Sequence, residues 1–371
     1  MRLLLPALLF LSAGTLTACA TRPDALPFAD TVLVQAAIVS GVDEQGTPLA
    51  DPPPVRQVGA RQDVLLLSGG GSLGAFGAGV LVGWTESGNR PVFNVVTGVS
   101  TGALMATLAF LGPRYDATLT RAYTQISNSD VYKRRGIVGF ARKASLYDRG
   151  PLEAMIAEIV DDALLAEVAA EHKKGRRLYV ATTNLDAGIS TVWDMGRLAS
   201  FPSPDRVQLY RDVLAASAAV PGVFSPVYIN QGSLPATMHV DGGLITSMLF
   251  RGFMVDPKGQ NEHVWAIANG HVNLVNNIKP SGTNAAGILG RSISEMLRSI
   301  AYRSIERNYV MARNAGARFN LAYLPDEEVE PNPIEFEPAQ MTRLFEAGKA
   351  LVRTGSWKNA PPRLDPLQKM P

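Results

Sequence analysis

Two short stretches carry residue types that can do chemistry together. In Gly98-Val-Ser-Thr-Gly102 a serine stands between two glycines, where the apolar run PVFNVVTG (91–98) gives way to ALMATLAFLG (103–112). A strand turning sharply into a helix would expose the Ser100 hydroxyl above the helix N-terminus, with Gly98 and Gly102 removing the side chains that would crowd the turn. The same spacing also suits a plain tight turn, so a second group has to decide. A nucleophilic serine needs a base. Asp241, in His239-Val-Asp-Gly-Gly243, ends a short run and is followed by two glycines; on its own, D-G-G is equally an Asx-type turn.

Histidine is the other candidate base, and there are four. His172 lies in the charged run EHKKGRR (171–177), read as a solvated turn. His263 and His271 bracket VWAIANG and could reach a strand end, which leaves a Ser-Asp-His triad open.

An acyl-transfer serine also needs donors for the oxyanion that forms on the attacked carbonyl. Upstream, DVLLL (63–67) reads as a buried strand feeding a glycine loop, Ser68-Gly-Gly-Gly-Ser-Leu-Gly74, and then an apolar helix. Successive glycines let backbone N–H groups converge on one point, and a helix N-terminus adds partial positive charge. Gly69, Gly70 and Gly71 are the expected oxyanion donors. Gly69, Gly71 and Gly74 also fit the dinucleotide fingerprint G-x-G-x-x-G. That use needs an acidic residue about 20 positions on, and no Asp or Glu occurs from Ser87 to Tyr115.

These residues resemble the patatin-like phospholipase family. The resemblance rests on four motifs in order over roughly residues 61–270: the glycine loop, the G-x-S-x-G elbow, the proline-containing segment Ala215–Pro226 (AASAAVPGVFSP) and Asp241-Gly-Gly243. It implies a Ser-Asp dyad without histidine, in which Ser100 attacks an ester carbonyl, Asp241 accepts its proton and later activates water, and the Gly70 and Gly71 amides hold the oxyanion. It further implies a membrane lipid substrate and no cofactor. One departure is Leu73, where family members often carry Arg or Lys; neutral glycerides, lysolipids and simple esters therefore stay open beside phospholipids. The same acyl-enzyme could pass its acyl group to an acceptor other than water, and a lipid-binding scaffold without turnover is the reading from outside enzymology.

The chain has to position these groups. Its 371 residues, 46% hydrophobic and 18% charged, suffice for a full globular core, and a net charge of +2 gives no bulk attraction to nucleic acid. A single cysteine excludes a zinc-type cluster and any intrachain disulfide, and no metal requirement follows from the acidic residues, which lack calcium-loop spacing. That cysteine, Cys19, follows Leu16-Thr-Ala18 at the end of an apolar signal-like segment, residues 1–18, and so resembles the lipobox of bacterial lipoproteins. The resemblance implies lipidation at Cys19 and export. Ala20, in place of an aspartate, favours the outer membrane. Residues 19–60, with Pro52-Pro-Pro54, read as a tether with one edge strand in Thr31–Ser40.

The expected architecture is a three-layer α/β/α domain over 61–275, with a central, mostly parallel sheet and Ser100 at a strand's carboxyl end. Within it, Leu178–Thr183 and Ile189–Asp194 read as a hairpin and Pro151–Ala170 as one helix. Val131–Arg149 mixes six basic residues with three aromatics, which suits either a lid lying on anionic lipid or a solvated connection with its aromatics turned inward. Residues 276–371 are expected to add helices over 284–314 and an irregular tail beyond Pro325. The sequence does not fix an oligomeric state.

Overall fold

The computed structural model describes residues 31–39, 61–134, 145–230, 236–256, 261–272, 285–328 and 332–362. The signal segment, Cys19, most of the tether and the middle of the expected lid lie outside the described residues. In chain order the elements are α1 (Thr31–Ala37), β1 (Gln62–Leu67), α2 (Gly74–Glu86), β2 (Val95–Val99), α3 (Thr101–Leu111), α4 (Asp116–Thr124), α5 (Asn128–Val131), β3 (Lys133–Arg134), β4 (Tyr147–Asp148), α6 (Gly150–Ile159) and α7 (Asp162–Lys173). They continue with β5 (Arg177–Asn184), β6 (Ile189–Asp194), α8 (Met195–Ser200), α9 (Arg206–Ser217), β7 (Val227–Ile229), β8 (Thr237–Asp241), β9 (Glu262–Ala268), α10 (Ala285–Asn314), β10 (Arg318–Tyr323) and α11 (Pro338–Arg353).

The central sheet runs β10-β9-β1-β2-β5-β8-β7, with β6 on the other side of β5. Strands β10, β9, β1, β2 and β5 are parallel, and β6, β7 and β8 are joined by antiparallel pairing. Strands β1, β2 and β5 are buried along their whole length, as expected when helices cover both faces of a parallel sheet. Leu65 and Leu67 face the layer that contains α2 and α3, while Val64 and Leu66 face Met248–Val255 and α10. Both α2 and α3 are apolar on every side, which suits helices enclosed by other elements. This is the three-layer α/β arrangement expected from the sequence, hairpin β5–β6 included.

Four local readings are corrected. Thr31–Ala37 is a helix rather than an edge strand: Leu33, Val34 and Ala37 are buried together, and only Ile38 bridges to Trp193 of β6. The expected helix 151–170 is broken at Val160, whose backbone is extended, and Asp161 restarts it by accepting from the Leu164 amide at 2.8 Å. The segment beyond residue 275, expected to add helices and an irregular tail, also supplies a strand, because β10 joins the sheet beside β9. The expected irregular tail contains α11, whose Met341, Leu344, Phe345, Gly348 and Leu351 form a buried stripe. That stripe lies on α2 so closely that a Cβ at Gly79 would sit 1.9 Å from the Phe345 carbonyl oxygen, and one at Gly348 2.1 Å from that of Phe76.

Candidate active site

The sheet register explains how Ser100 and Asp241 come together. Strand β6 occupies one edge of β5 from Tyr179 to Asn184, and β2 occupies the other edge only as far as Val99 opposite Ala181. From Thr182 onward that second edge is taken by β8, arriving antiparallel and ending with Asp241 opposite Thr182. The carboxyl ends of β2 and β8 therefore meet head to head, and β2 has to leave the sheet at Ser100.

It leaves abruptly. Ser100 has φ 55° and ψ −126°, the one positive φ outside glycine among the described residues, and α3 begins at the next position. The turn is feasible because a Cβ at Gly98 would lie 2.4 Å from the Gly102 carbonyl oxygen, and one at Gly102 2.4 Å from that of Leu67. Ser217, at the end of α9, fixes the turn from behind: its hydroxyl accepts from the Ser100 amide at 3.0 Å and donates to the Ala181 carbonyl at 2.7 Å. This gives the proline-containing segment a structural role, and Ser217 is a positioning residue that the motif spacing alone did not single out. A second tie comes from the Tyr123 hydroxyl, which donates to the Thr101 carbonyl at 2.8 Å.

Asp241 is buried. Its Oδ1 accepts from the Gly243 amide at 2.7 Å. Its Oδ2 has no hydrogen bond of normal geometry. Burial pushes the carboxyl up to about 6, while the nearby Ser100 hydroxyl and the Gly243 amide pull the other way. Gly242 allows the chain to leave β8 against the end of β2, since a Cβ there would lie 2.4 Å from the Ala181 carbonyl oxygen.

The glycine loop lies beside this pair. Gly69 packs on Ser100, where an added Cβ would be 3.2 Å from the serine Cβ. Its amide, however, is donated to the Ser247 carbonyl at 3.1 Å, so Gly69 shapes the loop and is not an available donor. The Ser72 and Leu73 amides are also engaged, by the Pro333 and Gly70 carbonyls. No hydrogen bond is made by the Gly70 or Gly71 amide among the described residues. Asn269 anchors the loop's approach, its side-chain Nδ2 donating to the Ser68 carbonyl and its Oδ1 accepting from the Gly77 amide. Leu73 is buried in the core.

Ser100 and Gly71 open onto a cavity with about 110 Å³ accessible to the centre of a water molecule. Its walls come from α3, α4, α6, the end of α9 and residues 333–341, and no charged side chain is among the described residues that line it. The described part of the expected lid contributes Tyr132, whose ring lies 4.3 Å from that of Tyr147, so here the aromatics turn inward. Lys133–Arg134 pairs with Tyr147–Asp148, and both basic side chains are exposed.

Among the described residues no histidine lines the cavity that Ser100 opens onto. His263 pairs in register with Asp63 at the start of β1 and β9, the end of the parallel strands opposite Ser100. The Nε2 of His271 lies 3.1 Å from the Pro325 carbonyl oxygen. His172, on α7, has Nδ1 3.6 Å from the Asp194 carboxylate rather than standing in a solvated turn. His239 is close in sequence to Asp241, but its ring nitrogens lie 2.9 Å from the hydroxyls of Thr182 and Thr237, and burial lowers its pKa to about 4.

The sequence model of patatin-like phospholipases matches residues 65–254, 190 of the 371 residues. The chain belongs to that family. As a patatin-like phospholipase it is a lipid-hydrolysing enzyme in the general sense, with lipids as its substrates. Among solved structures, VipD from Legionella pneumophila is similar at 11% identity over 86% of this chain and 69% of VipD, with a TM-score of 0.43. Human GIVD cytosolic phospholipase A2, solved with methyl gamma-linolenyl fluorophosphonate, is similar at 10% identity over 87% of this chain and 60% of that one, with a TM-score of 0.36. Full-length ExoU of Pseudomonas aeruginosa, in complex with SpcU, gives 14% identity over 82% and 53%, with a TM-score of 0.33. No curated protein sequence matches the chain.

Proposed function

We propose that this patatin-like phospholipase hydrolyses carboxylic esters of lipids through an acyl-enzyme on Ser100, with Asp241 as the base. Asp241 Oδ2 takes the hydroxyl proton as Oγ attacks the ester carbonyl, and the resulting oxyanion is held by the Gly70 and Gly71 amides. As the intermediate collapses, the protonated Asp241 returns its proton to the departing alcohol. Asp241 then activates water to release the fatty acid from Ser100. The observation that carries this reading is the meeting of Ser100 and Asp241 at one point on the edge of β5, beside two amides that make no hydrogen bond among the described residues.

Electrostatics favour the assignment. A carboxylate pushed up to about 6 by burial is a better base than an exposed aspartate and is still largely ionised at neutral pH. A cavity whose described lining is uncharged suits an acyl chain and leaves the head group outside. The buried Leu73 supplies no charge for a phosphate, so neutral glycerides, lysolipids and simple esters are substrates on the same footing as phospholipids. Lipidation at Cys19 would anchor the enzyme to a membrane, the outer membrane in particular, and hold it near its substrate.

The test is fluorophosphonate labelling of the mature protein without its anchor. Wild type should label, Ser100→Ala should not, and Asp241→Asn should label at least about a hundredfold more slowly, the scale of general-base contributions. The wild-type rate should fall tenfold per pH unit below about pH 6, as Asp241 becomes protonated. A folded wild-type protein that fails to label with vesicles present would point instead to a lipid-binding scaffold.

A further inference from the structure

The family match ends at residue 254, yet part of the cavity wall comes from the far end of the chain. Asn332-Pro-Ile-Glu335 forms a tight turn. The Glu335 amide donates to the Asn332 carbonyl at 3.0 Å, and the Ile334 amide to the Asn332 side chain at 3.3 Å. Asn at the first position and Pro at the second favour such a turn for local reasons, the first through its side-chain oxygen and the second through its fixed φ.

Main-chain groups of the turn seat it on the catalytic region, beginning with a long bond of 3.4 Å from the Ser72 hydroxyl to the Asn332 carbonyl. The Pro333 carbonyl accepts from the Ser72 amide at 2.9 Å, the Ile334 carbonyl from the Tyr132 hydroxyl at 2.9 Å, and the Phe336 amide donates to the Asn128 side chain at 2.7 Å. The contact with the glycine loop is close enough that a Cβ at Gly71 would lie 2.0 Å from the Pro333 oxygen. Half-buried, the Ile334 and Phe336 side chains line the same cavity as Ser100, and the Phe336 ring stands 6.2 Å from that of Tyr132.

We infer that this C-terminal strap is part of the substrate site, with Ile334 and Phe336 setting which acyl chains fit. The inference rests on the acyl-ester reading of the cavity. A wall held by main-chain bonds keeps its position when its side chains change, so altering bulk there changes the shape of the cavity while leaving Ser100 and the loop in place. The strap also occupies the Ser72 amide, which leaves Gly70 and Gly71 as the loop donors that make no hydrogen bond among the described residues.

The experiment compares kcat/KM for p-nitrophenyl dodecanoate and butyrate in wild type, Phe336→Ala and Ile334→Trp, with thermal melting to confirm folding. Phe336→Ala should raise the dodecanoate-to-butyrate ratio roughly tenfold and Ile334→Trp should lower it by a similar factor, the scale on which apolar pockets discriminate chain size. Phe336→Leu serves if the alanine variant melts early, with a smaller shift in the same direction. In parallel, displacement of cis-parinaric acid by fatty acids of eight to eighteen carbons reads the cavity without turnover. Folded variants with wild-type ratios and displacement profiles would overturn the inference. Altered displacement profiles in a protein without esterase activity would uphold it while overturning the catalytic proposal.

Discussion

Two strand-turn-helix units stand side by side in the sheet, and they solve the same geometric problem in opposite ways. The unit β1–α2 turns through glycines, with φ 153° at Gly70 and 57° at Gly71. In the unit β2–α3 the positive φ of 55° falls on Ser100. Glycine takes up such backbone conformations at little steric cost, whereas a side-chain-bearing residue held there costs about 1–3 kcal/mol. The first turn presents main-chain amides and needs no side chain; the second has to present a hydroxyl and so accepts strain that Ser217 and Tyr123 hold in place. The difference separates what a site can obtain from backbone alone from what requires a strained side chain.

Substitutions can break that contrast, and the largest effect is expected in the glycine turn. Gly71→Ala puts a Cβ where the Pro333 oxygen lies and shifts the adjacent amides, so kcat should drop about 10²–10³-fold, the loss typical of removing an oxyanion donor. Steady-state kinetics on p-nitrophenyl butyrate would check it; near-normal kcat would mean that the loop does not act as a donor.

The serine turn carries a second cost in the buried carboxylate that it meets. The Asp241 pKa is raised on folding, so the folded state loses stability as pH rises from about 4 and the loss is complete above about 6. Asp241→Asn removes that penalty. The variant should be more stable than wild type by up to about 3 kcal/mol at pH 8 and no more stable at pH 4. Urea unfolding at the two pH values would measure it, and equal stabilities at pH 8 would show the carboxylate to be well accommodated.

Smallest is the effect of relieving the backbone strain. Ser100→Gly should stabilise by about 1 kcal/mol relative to Ser100→Ala, since both lose the hydroxyl and glycine alone tolerates the turn freely. Equal midpoints for the two variants would place the strain elsewhere.

Legibility in the sequence follows the same divide between local and distant causes. Both turns could be read because strand, glycines and helix lie within about a dozen residues. The proximity of Ser100 to Asp241 was available only through family resemblance, since it depends on where β2 stops along β5 and β8 begins. Exclusion of Gly69 as a donor depends on a contact with Ser247, far along the chain. Other signals were present and outweighed. Asp161 beside a second aspartate was a helix cap inside an apparently continuous helix, and the stripe of α11 was hidden among flanking prolines and charges. The strap carried no chemical signature, because Pro333 acts through its main-chain carbonyl.

The crossing of α2 and α11, backbone against backbone at Gly79 and Gly348, bears on how the protein can be cut. Trimmed to the span that the family model matches, it would lose β9 from the open edge of β1 and bare the seam of the very helix that the glycine loop starts. Expression boundaries drawn by homology would therefore remove the supports of the loop while keeping every motif. A soluble fragment for crystallography or screening should run at least to Arg353.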